Sequence, residues 1–259
     1  MPDRTSHDPG TISWSDLATT DADAAKAFYS GLFGWDYDEM PAGEGVIYSM
    51  AKHGGRAAAA ISPQQPDEAT QGIPPHWNVY VTVEDVDASS AVAADAGGTV
   101  LAGPFDVLDV GRMSVVADPA GAVLCLWQAK TSIGAEVVNE PGALSWADTA
   151  TTDPEAAQAF YSAVFGWTFQ KMSQDPPYWV IFNGERSNGG MTKPPPGIPS
   201  NWFPYFAVED VDAAIETARS AGGDPFIGPI DVPNGGRFAL IMDPQGAAFA
   251  VLSSDNFDD

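Results

Sequence analysis

A nine-residue segment occurs twice in this chain and indicates an internal duplication. The first copy reads AFYSGLFGW over residues 27–35, and the second reads AFYSAVFGW over residues 159–167. A tryptophan and the tetrapeptide ATTD precede both copies, and the motifs VEDVDA, AGG, GP, GR and DPxG follow in the same order each time. Several motifs do not recur in one order by chance, so the repeat reflects duplication of a structural unit. It predicts two homologous domains, residues 1–130 and 131–259.

The composition describes an acidic chain with one cysteine. Acidic residues outnumber basic ones 35 to 11, which gives a formal charge of −24. Such a field repels phosphate backbones and anionic lipid, so we expect neither nucleic acid nor a membrane as a partner. Cys125 cannot form an intrachain disulfide because the chain has no second cysteine. The first ten residues are polar rather than an apolar signal sequence, and a cytoplasmic protein is expected.

Local signals predict the same order of elements twice in each half. A strand over residues 11–18 is followed by a helix that Asp21 caps and Gly34 ends. A proline-rich stretch over residues 62–75 is predicted to be an extended connector. Residues 77–88 then alternate like a strand before a second helix. The sequence therefore predicts four β-α-β-β-β units, which must pair to bury their sheets and which leave a concave face for a small molecule.

The repeated helices, the two VEDVDA segments and the two DPxG turns resemble the vicinal oxygen chelate superfamily. This group includes glyoxalase I, extradiol dioxygenases, fosfomycin-modifying enzymes and bleomycin-binding resistance proteins. The resemblance covers nearly the whole chain and implies an α+β fold of two tandem glyoxalase-like domains, each a curved mixed sheet with helices outside. It also implies that enzymes of the family bind a divalent metal through His, Gln or Glu on the first and last strands of the units.

The residues at those metal positions are poor ligands. The matching positions on the first strands and after the DPxG turns are Trp14, Asn78, Trp146, Phe203, Cys125 and Ala250. The candidates near residues 58–60 and 189–191 offer no ligand either. Only Asn78 and Cys125 could donate to a metal, and a catalytic divalent site needs about three protein ligands. We therefore predict that the protein uses no metal and no other cofactor.

Aromatic residues take the place of ligands on one face of these strands. Side chains two positions apart share a face, so Trp14, Trp146, Phe203, Tyr80 and Tyr205 are predicted to line the concave side. The alternative is that each simply fills the core. The predicted ligand-binding residues are Trp14, Asp16, Asn78, Tyr80, Cys125, Trp146, Asp148, Phe203 and Tyr205.

Charged and reactive residues leave alternatives open. Asp16 and Asp148 could accept a ligand ammonium or act as a general base, or they could be carboxylates at a turn or helix entry. Arg112 and Arg237 could clamp a ligand carboxylate or form internal ion pairs. Cys125 has no neighbouring base in the sequence and is predicted to be an inert buried thiol.

These observations predict a metal-free protein that binds an apolar or aromatic small molecule, with a planar cation preferred because of the net charge. Sequestration, antibiotic self-resistance or delivery to an oxygenase are the expected uses. One alternative is a metal-dependent glyoxalase-like lyase, isomerase or dioxygenase. Another is a cofactor-free enzyme that uses Asp16, Asp148, Tyr80 or Tyr205. The expected assembly is a monomer, in which the two domains form an internal pseudo-dimer, or a homodimer.

Overall fold

A computed structural model describes residues 4–43, 45–232 and 236–254 of the chain. Each half of the described chain contains one sheet of eight strands. The first half comprises β1 (Ile12–Thr19), α1 (Ala22–Phe33), β2 (Asp36–Pro41), β3 (Ile47–His53), β4 (Arg56–Pro63), α2 (Pro66–Thr70), β5 (His76–Thr82), α3 (Val86–Asp95), β6 (Thr99–Val107), β7 (Gly111–Ala117) and β8 (Val123–Ala129). The second half comprises β9 (Leu144–Ala150), α4 (Pro154–Phe165), β10 (Thr168–Gln174), β11 (Pro177–Asn183), β12 (Arg186–Thr192), β13 (Asn201–Ala207), α5 (Val211–Ser220), β14 (Asp224–Val232), β15 (Gly236–Met242) and β16 (Ala248–Ser254).

Each sheet is made from two β-α-β-β-β units. The strand order in the first half is β2-β3-β4-β1-β5-β8-β7-β6, and the second half repeats it as β10-β11-β12-β9-β13-β16-β15-β14. The two central strands, β1 and β5, pair antiparallel, while β4 and β8 run parallel to them on either side. The predicted α+β fold of two tandem domains is therefore confirmed.

The residues predicted to begin and end the first helix, Asp21 and Gly34, do so in the structure. The Asp21 carboxylate accepts a hydrogen bond from the backbone N–H of Ala24 at 3.0 Å, and Gly34 ends α1 with a φ of 69°. The extended connector predicted over residues 62–75 is wrong in part, because α2 forms within it. Pro66 occupies the first helical turn and the Glu68 carboxylate accepts the N–H of Gln65 at 2.9 Å, which together favour a helix start.

Helices α1 and α4 pack between the two sheets. Phe28 on α1 and Phe160 on α4 are buried in one core that both halves share. The Tyr29 hydroxyl donates to Asp243 of the second half at 2.9 Å, and the Tyr161 hydroxyl donates to Asp118 of the first half at the same distance. The helices thus lie outside the curve of their own sheets and against the opposite half. The other face of each sheet is left for the clefts.

The segments that precede β1 and β9 cross to the opposite half. We call residues 4–11 the leader and residues 130–143 the linker. The indole N–H of Trp35 donates to the Gly142 carbonyl at 2.7 Å, and that of Trp167 donates to the Gly10 carbonyl at 2.8 Å. Both glycines have positive φ, 83° for Gly10 and 88° for Gly142, a backbone region that other residues rarely adopt. The leader therefore lies against the second half, and the linker lies against the first.

Candidate ligand-binding clefts

The first half contains a buried carboxylate on the sheet face opposite the helices. Asp16 Oδ2 accepts hydrogen bonds from the hydroxyls of Tyr80 at 2.7 Å and Tyr48 at 3.0 Å, and its Oδ1 accepts from the Asn78 amide at 2.9 Å. The Trp14 indole N–H donates to the Tyr48 oxygen at 3.0 Å. Burial raises the pKa of Asp16, although its three hydrogen bonds act in the opposite direction. The cluster joins strands β1, β3 and β5.

The second half repeats this cluster with small differences. Asp148 Oδ1 accepts from the Trp146 indole N–H at 2.8 Å and from the Tyr178 hydroxyl at 3.1 Å, while its Oδ2 accepts from the Tyr205 hydroxyl at 2.8 Å. Asp148 is 4% exposed, and burial raises its pKa to about 6. A carboxyl group with that pKa exchanges its proton near neutral pH.

The strand register brings the predicted residues of each half together. Trp14 lies opposite Tyr80 and Asp16 lies opposite Asn78 across the β1–β5 pair. Cys125 is the neighbour of Tyr80 across the parallel β5–β8 pair. Both carboxylates lie within central strands, so the alternative that placed them at a turn or helix entry is wrong.

The second sheet has the same register. Trp146 lies opposite Tyr205 and Asp148 lies opposite Phe203 across the β9–β13 pair. The Phe203 and Tyr205 rings stack with their centroids 5.6 Å apart. The nine predicted residues therefore gather in two groups, one on each sheet.

Sequence reasoning missed Tyr48 and Tyr178. Tyr48 lies in β3 and Tyr178 lies in β11, and the face of a side chain in these strands depends on the pairing register. The register shifts at an irregularity in the β3–β4 pair and at another in the β11–β12 pair. No sequence motif predicts these shifts. Gly190 is one sequence feature that is consistent with this cluster. An added Cβ at Gly190 would collide with the Tyr178 hydroxyl and the Asp148 carboxylate, so the cluster depends on a residue without a side chain.

The cleft of the first half is filled by the chain itself. The linker residue Ala135 donates its N–H to the Ser13 carbonyl at 2.8 Å and is fully buried against the cluster that contains Trp14. The Trp127 indole N–H donates to the Ser132 carbonyl of the linker at 3.0 Å, and Val138 packs on the same cluster. Trp14 is 6% exposed as a result.

The cleft of the second half contains a cavity of about 600 Å³. Leu252 stands at the position that Trp127 holds in the first half, and Trp146 is only partly buried. The apolar part of the wall includes Ile12, Val138, Leu144, Trp146, Val232 and Leu252. The polar part includes Arg4, His7, Asp8, Asn139, Asn183, Arg186 and Asn188. A cavity of this size is typical of sites for small molecules.

The donor set does not fit the divalent metal that the family resemblance implies. Burial raises the pKa of the Cys125 thiol, and the nearby Asp16 carboxylate adds to the shift, so the thiolate that binds metals is disfavoured. The second cleft has Phe203 and Ala250 at the matching positions. Each cleft retains one carboxylate, which already accepts three hydrogen bonds. Among the described residues no group of three His, Cys, Asp or Glu side chains could hold a metal ion.

The two candidate arginine clamps form ion pairs within the protein. Arg112 lies 2.7 Å from Asp87 and 3.4 Å from Asp106. Arg237 pairs with Asp212 at 3.2 Å and with Asp231. The ion-pair interpretation is therefore confirmed.

In the described part of the chain, no helix is both long and apolar enough to cross a membrane.

Paired β-α-β-β-β units, with a cleft on the sheet face opposite their helices, define the glyoxalase class of folds. A model of the Glyoxalase/Bleomycin resistance protein/Dioxygenase superfamily matches residues 11–126 and 143–251. The chain belongs to this superfamily.

Several proteins are similar over nearly the full chain. A Mycobacterium tuberculosis protein named "Putative glyoxylase CFP32" is 48% identical over 256 residues, which cover 97% of this chain and 98% of the relative. "Anthracycline biosynthesis protein DauV" of Streptomyces sp. (strain C5) is 35% identical and covers 94% of this chain and 93% of the relative.

Solved structures support the fold. The Mn(II)-bound glyoxalase from Novosphingobium aromaticivorans gives a TM-score of 0.68 at 17% identity, covering 97% of this chain and 85% of that one. The 2,3-dioxygenase LapB from Pseudomonas sp. KL28 gives 0.67 at 15% identity, covering 95% and 93%. Similarity at this level of identity concerns the fold alone.

Proposed function

We propose that this protein binds a small molecule in the cleft of its second half and does so without a metal. The observation that carries the proposal is the cavity of about 600 Å³ beside Trp146, at a place where the first half is filled by its own linker. The described residues of either cleft include no group of three metal donors, which favours binding over metal-dependent lyase, isomerase or dioxygenase chemistry.

The cavity wall favours a planar aromatic ligand. Trp146 is half-buried and presents an indole beside the aliphatic side chains of Leu252 and Val232. Indole rings bind flat aromatic groups through stacking and burial of apolar area. The similarity to a protein named for anthracycline biosynthesis agrees with this class, because anthracyclines are polycyclic aromatic compounds. Sequestration, self-resistance or delivery of such a compound to an oxygenase are the uses we propose.

A cofactor-free enzyme is the second candidate, and one observation favours it. Asp148 has a pKa of about 6, close to the pH at which a general base works. However, its oxygens already accept hydrogen bonds from three donors, and it is not among the described residues of the cavity wall. We therefore place binding before catalysis.

Calorimetric titration with 2-naphthylmethanol, a neutral planar probe, tests the proposal. We expect saturable binding that Trp146→Ala weakens about tenfold, whereas Trp14→Ala leaves the Kd unchanged because Trp14 is buried in the filled cleft. Thermal melting of both variants checks that each is folded. Unchanged binding in Trp146→Ala would place the ligand elsewhere.

Native mass spectrometry and elemental analysis of the purified protein test the metal-free state. We expect no stoichiometric metal. About one zinc, nickel, iron or manganese ion per domain, lost in Asn78→Ala or Cys125→Ala, would contradict it.

A further inference from the structure

The basic residues of this acidic chain are almost all engaged by partners. Arg186 on β12 is an exception, because it is exposed and forms no ion pair with any carboxylate in the described residues. The basic side chains that do pair with carboxylates are Lys26, Lys52, Arg56, Arg112, Lys130, Arg219 and Arg237. Arg186 lines the second cleft. An unpaired guanidinium at the wall of a cavity is available to a ligand.

In the first half, the arginine equivalent to Arg186 is Arg56, and it has a carboxylate partner. Arg56 begins β4 opposite His53, just as Arg186 begins β12 opposite Asn183. The guanidinium of Arg56 donates to both carboxylate oxygens of Glu140 in the linker. The leader has Asp8 at the position of Glu140, one methylene shorter, and Asp8 forms no ion pair with Arg186. The chain therefore satisfies this arginine in the filled cleft and leaves it open in the cleft with a cavity.

Arg4, His7 and Asp8 are the other ionisable residues on the described cavity wall. Arg4 of the leader lines the cavity, whereas the equivalent linker residue in the first half is Glu136, whose carboxylate accepts the N–H of Ala57 at 2.8 Å. The His7 Nε2–H donates to the Ala135 carbonyl at 2.7 Å, and burial lowers the pKa of the imidazole, which disfavours its charged form. Among the described residues of the wall, Asp8 is the single carboxylate, and it forms no ion pair with Arg186, although the chain has a net charge of −24.

We propose that the ligand of the second cleft carries an anionic group on its planar aromatic body and that Arg186 binds this group. The inference rests on the proposed function of the same cleft. A guanidinium binds a carboxylate through two parallel hydrogen bonds, which suits an aromatic carboxylate or another ionised acidic group of similar shape. The cation preference predicted from net charge has the opposite sign. Net charge acts over long range and is screened by salt, whereas the residues on the wall act at contact distance.

Probes that differ only in charge distinguish a preference for an anionic ligand from a preference for a cationic one. Calorimetry of the full chain would compare 2-naphthoate, 2-naphthylmethanol and 2-naphthylmethylammonium at low and high salt. We expect 2-naphthoate to bind at least tenfold more tightly than the ammonium compound. Arg186→Gln should weaken 2-naphthoate about tenfold and leave the Kd of the neutral alcohol unchanged. Lys193→Gln removes another exposed positive charge away from the cavity and should leave all three affinities unchanged.

The outcomes distinguish this inference from the proposed function. Equal affinity for the three probes, tighter binding of the ammonium compound, or an unchanged 2-naphthoate Kd in Arg186→Gln would overturn the anion site. If the neutral alcohol still binds in a manner that depends on Trp146, the proposed function stands without it. Failure of all three probes to bind would overturn both. Arg186→Lys provides a second variant, and partial loss of 2-naphthoate affinity is expected because the charge remains but the planar fork does not.

Discussion

The two clefts come from one duplicated unit but have different contents. In the first, Trp127 and linker residues such as Ala135 and Val138 occupy the space opposite the helices. In the second, Leu252 replaces the indole and a cavity of about 600 Å³ remains. One cleft of a duplicated protein can therefore be closed by its own chain. The proposed ligand binding then depends on the half that stays open.

The carboxylate clusters, in contrast to the clefts, are alike in the two halves. Asp16 accepts hydrogen bonds from two tyrosines in a cleft that is filled, and Asp148 does so beside a cavity. A feature present with and without a cavity does not by itself mark a ligand site. Its shared effect is structural, since each cluster connects three strands of its sheet through buried hydrogen bonds.

The largest expected effect tests the equivalence of the two halves in the shared core. Phe28→Ala and Phe160→Ala should each lower the free energy of unfolding by about 3–5 kcal/mol, because both rings are buried. Phe160 lies over Gly98 of the first half, and Phe28 lies over Gly223 of the second. Urea unfolding measures both losses. A loss below about 1 kcal/mol at both sites would mean that these helix faces do not form the core.

The next prediction concerns a difference between the carboxylate clusters. Gly190→Ala should cost about 1–3 kcal/mol, because its methyl group would occupy the space of the Tyr178 hydroxyl and the Asp148 carboxylate. The first half has Ala60 at the matching place beside Asp16. Ala60→Gly should therefore cost no more than about 1 kcal/mol, from backbone entropy. Chemical denaturation of both variants gives the comparison, and equal costs would contradict it.

A pH titration of stability tests the burial of Asp148. Its pKa in the folded protein, about 6, lies above its ordinary value of 3.8. Its stabilising contribution is therefore fully present below about pH 4 and is lost as the pH rises through 6. Between pH 5 and pH 7.5 we expect Asp148→Asn to gain about 1.4 kcal/mol relative to the unmodified chain, the equivalent of one pKa unit. Urea midpoints across this range measure the gain. Asp8→Asn, at an exposed site, is the control, and a flat difference for Asp148→Asn would contradict the raised pKa.

The sequence predicts much of this molecule because its signals are local or repeated. The duplicated helix and turn motifs predict the fold. The two-residue period of a strand correctly places Trp14 with Asp16 and Asn78 with Tyr80 on one face. The position of Tyr48 could not be predicted, because it depends on the register between strands. The difference between the clefts could not be predicted from the sequence either. It depends on the path of the linker, and the composition of the linker does not predict which cleft it covers.

The smallest expected effect tests whether the identity of one side chain separates the clefts. Leu252→Trp introduces the residue that Trp127 supplies in the first half, and its indole would occupy part of the cavity beside Trp146. We expect affinity for 2-naphthylmethanol to fall about fivefold, a little under 1 kcal/mol, because most of the 600 Å³ remains. The reciprocal change, Trp127→Leu, should create no new site, since Ala135 and Val138 of the linker still cover the first cleft. Calorimetry gives the stoichiometry as well as the Kd. One site per chain in both variants agrees with this account, whereas a second site in Trp127→Leu would show that the indole, rather than the linker, keeps the first cleft closed.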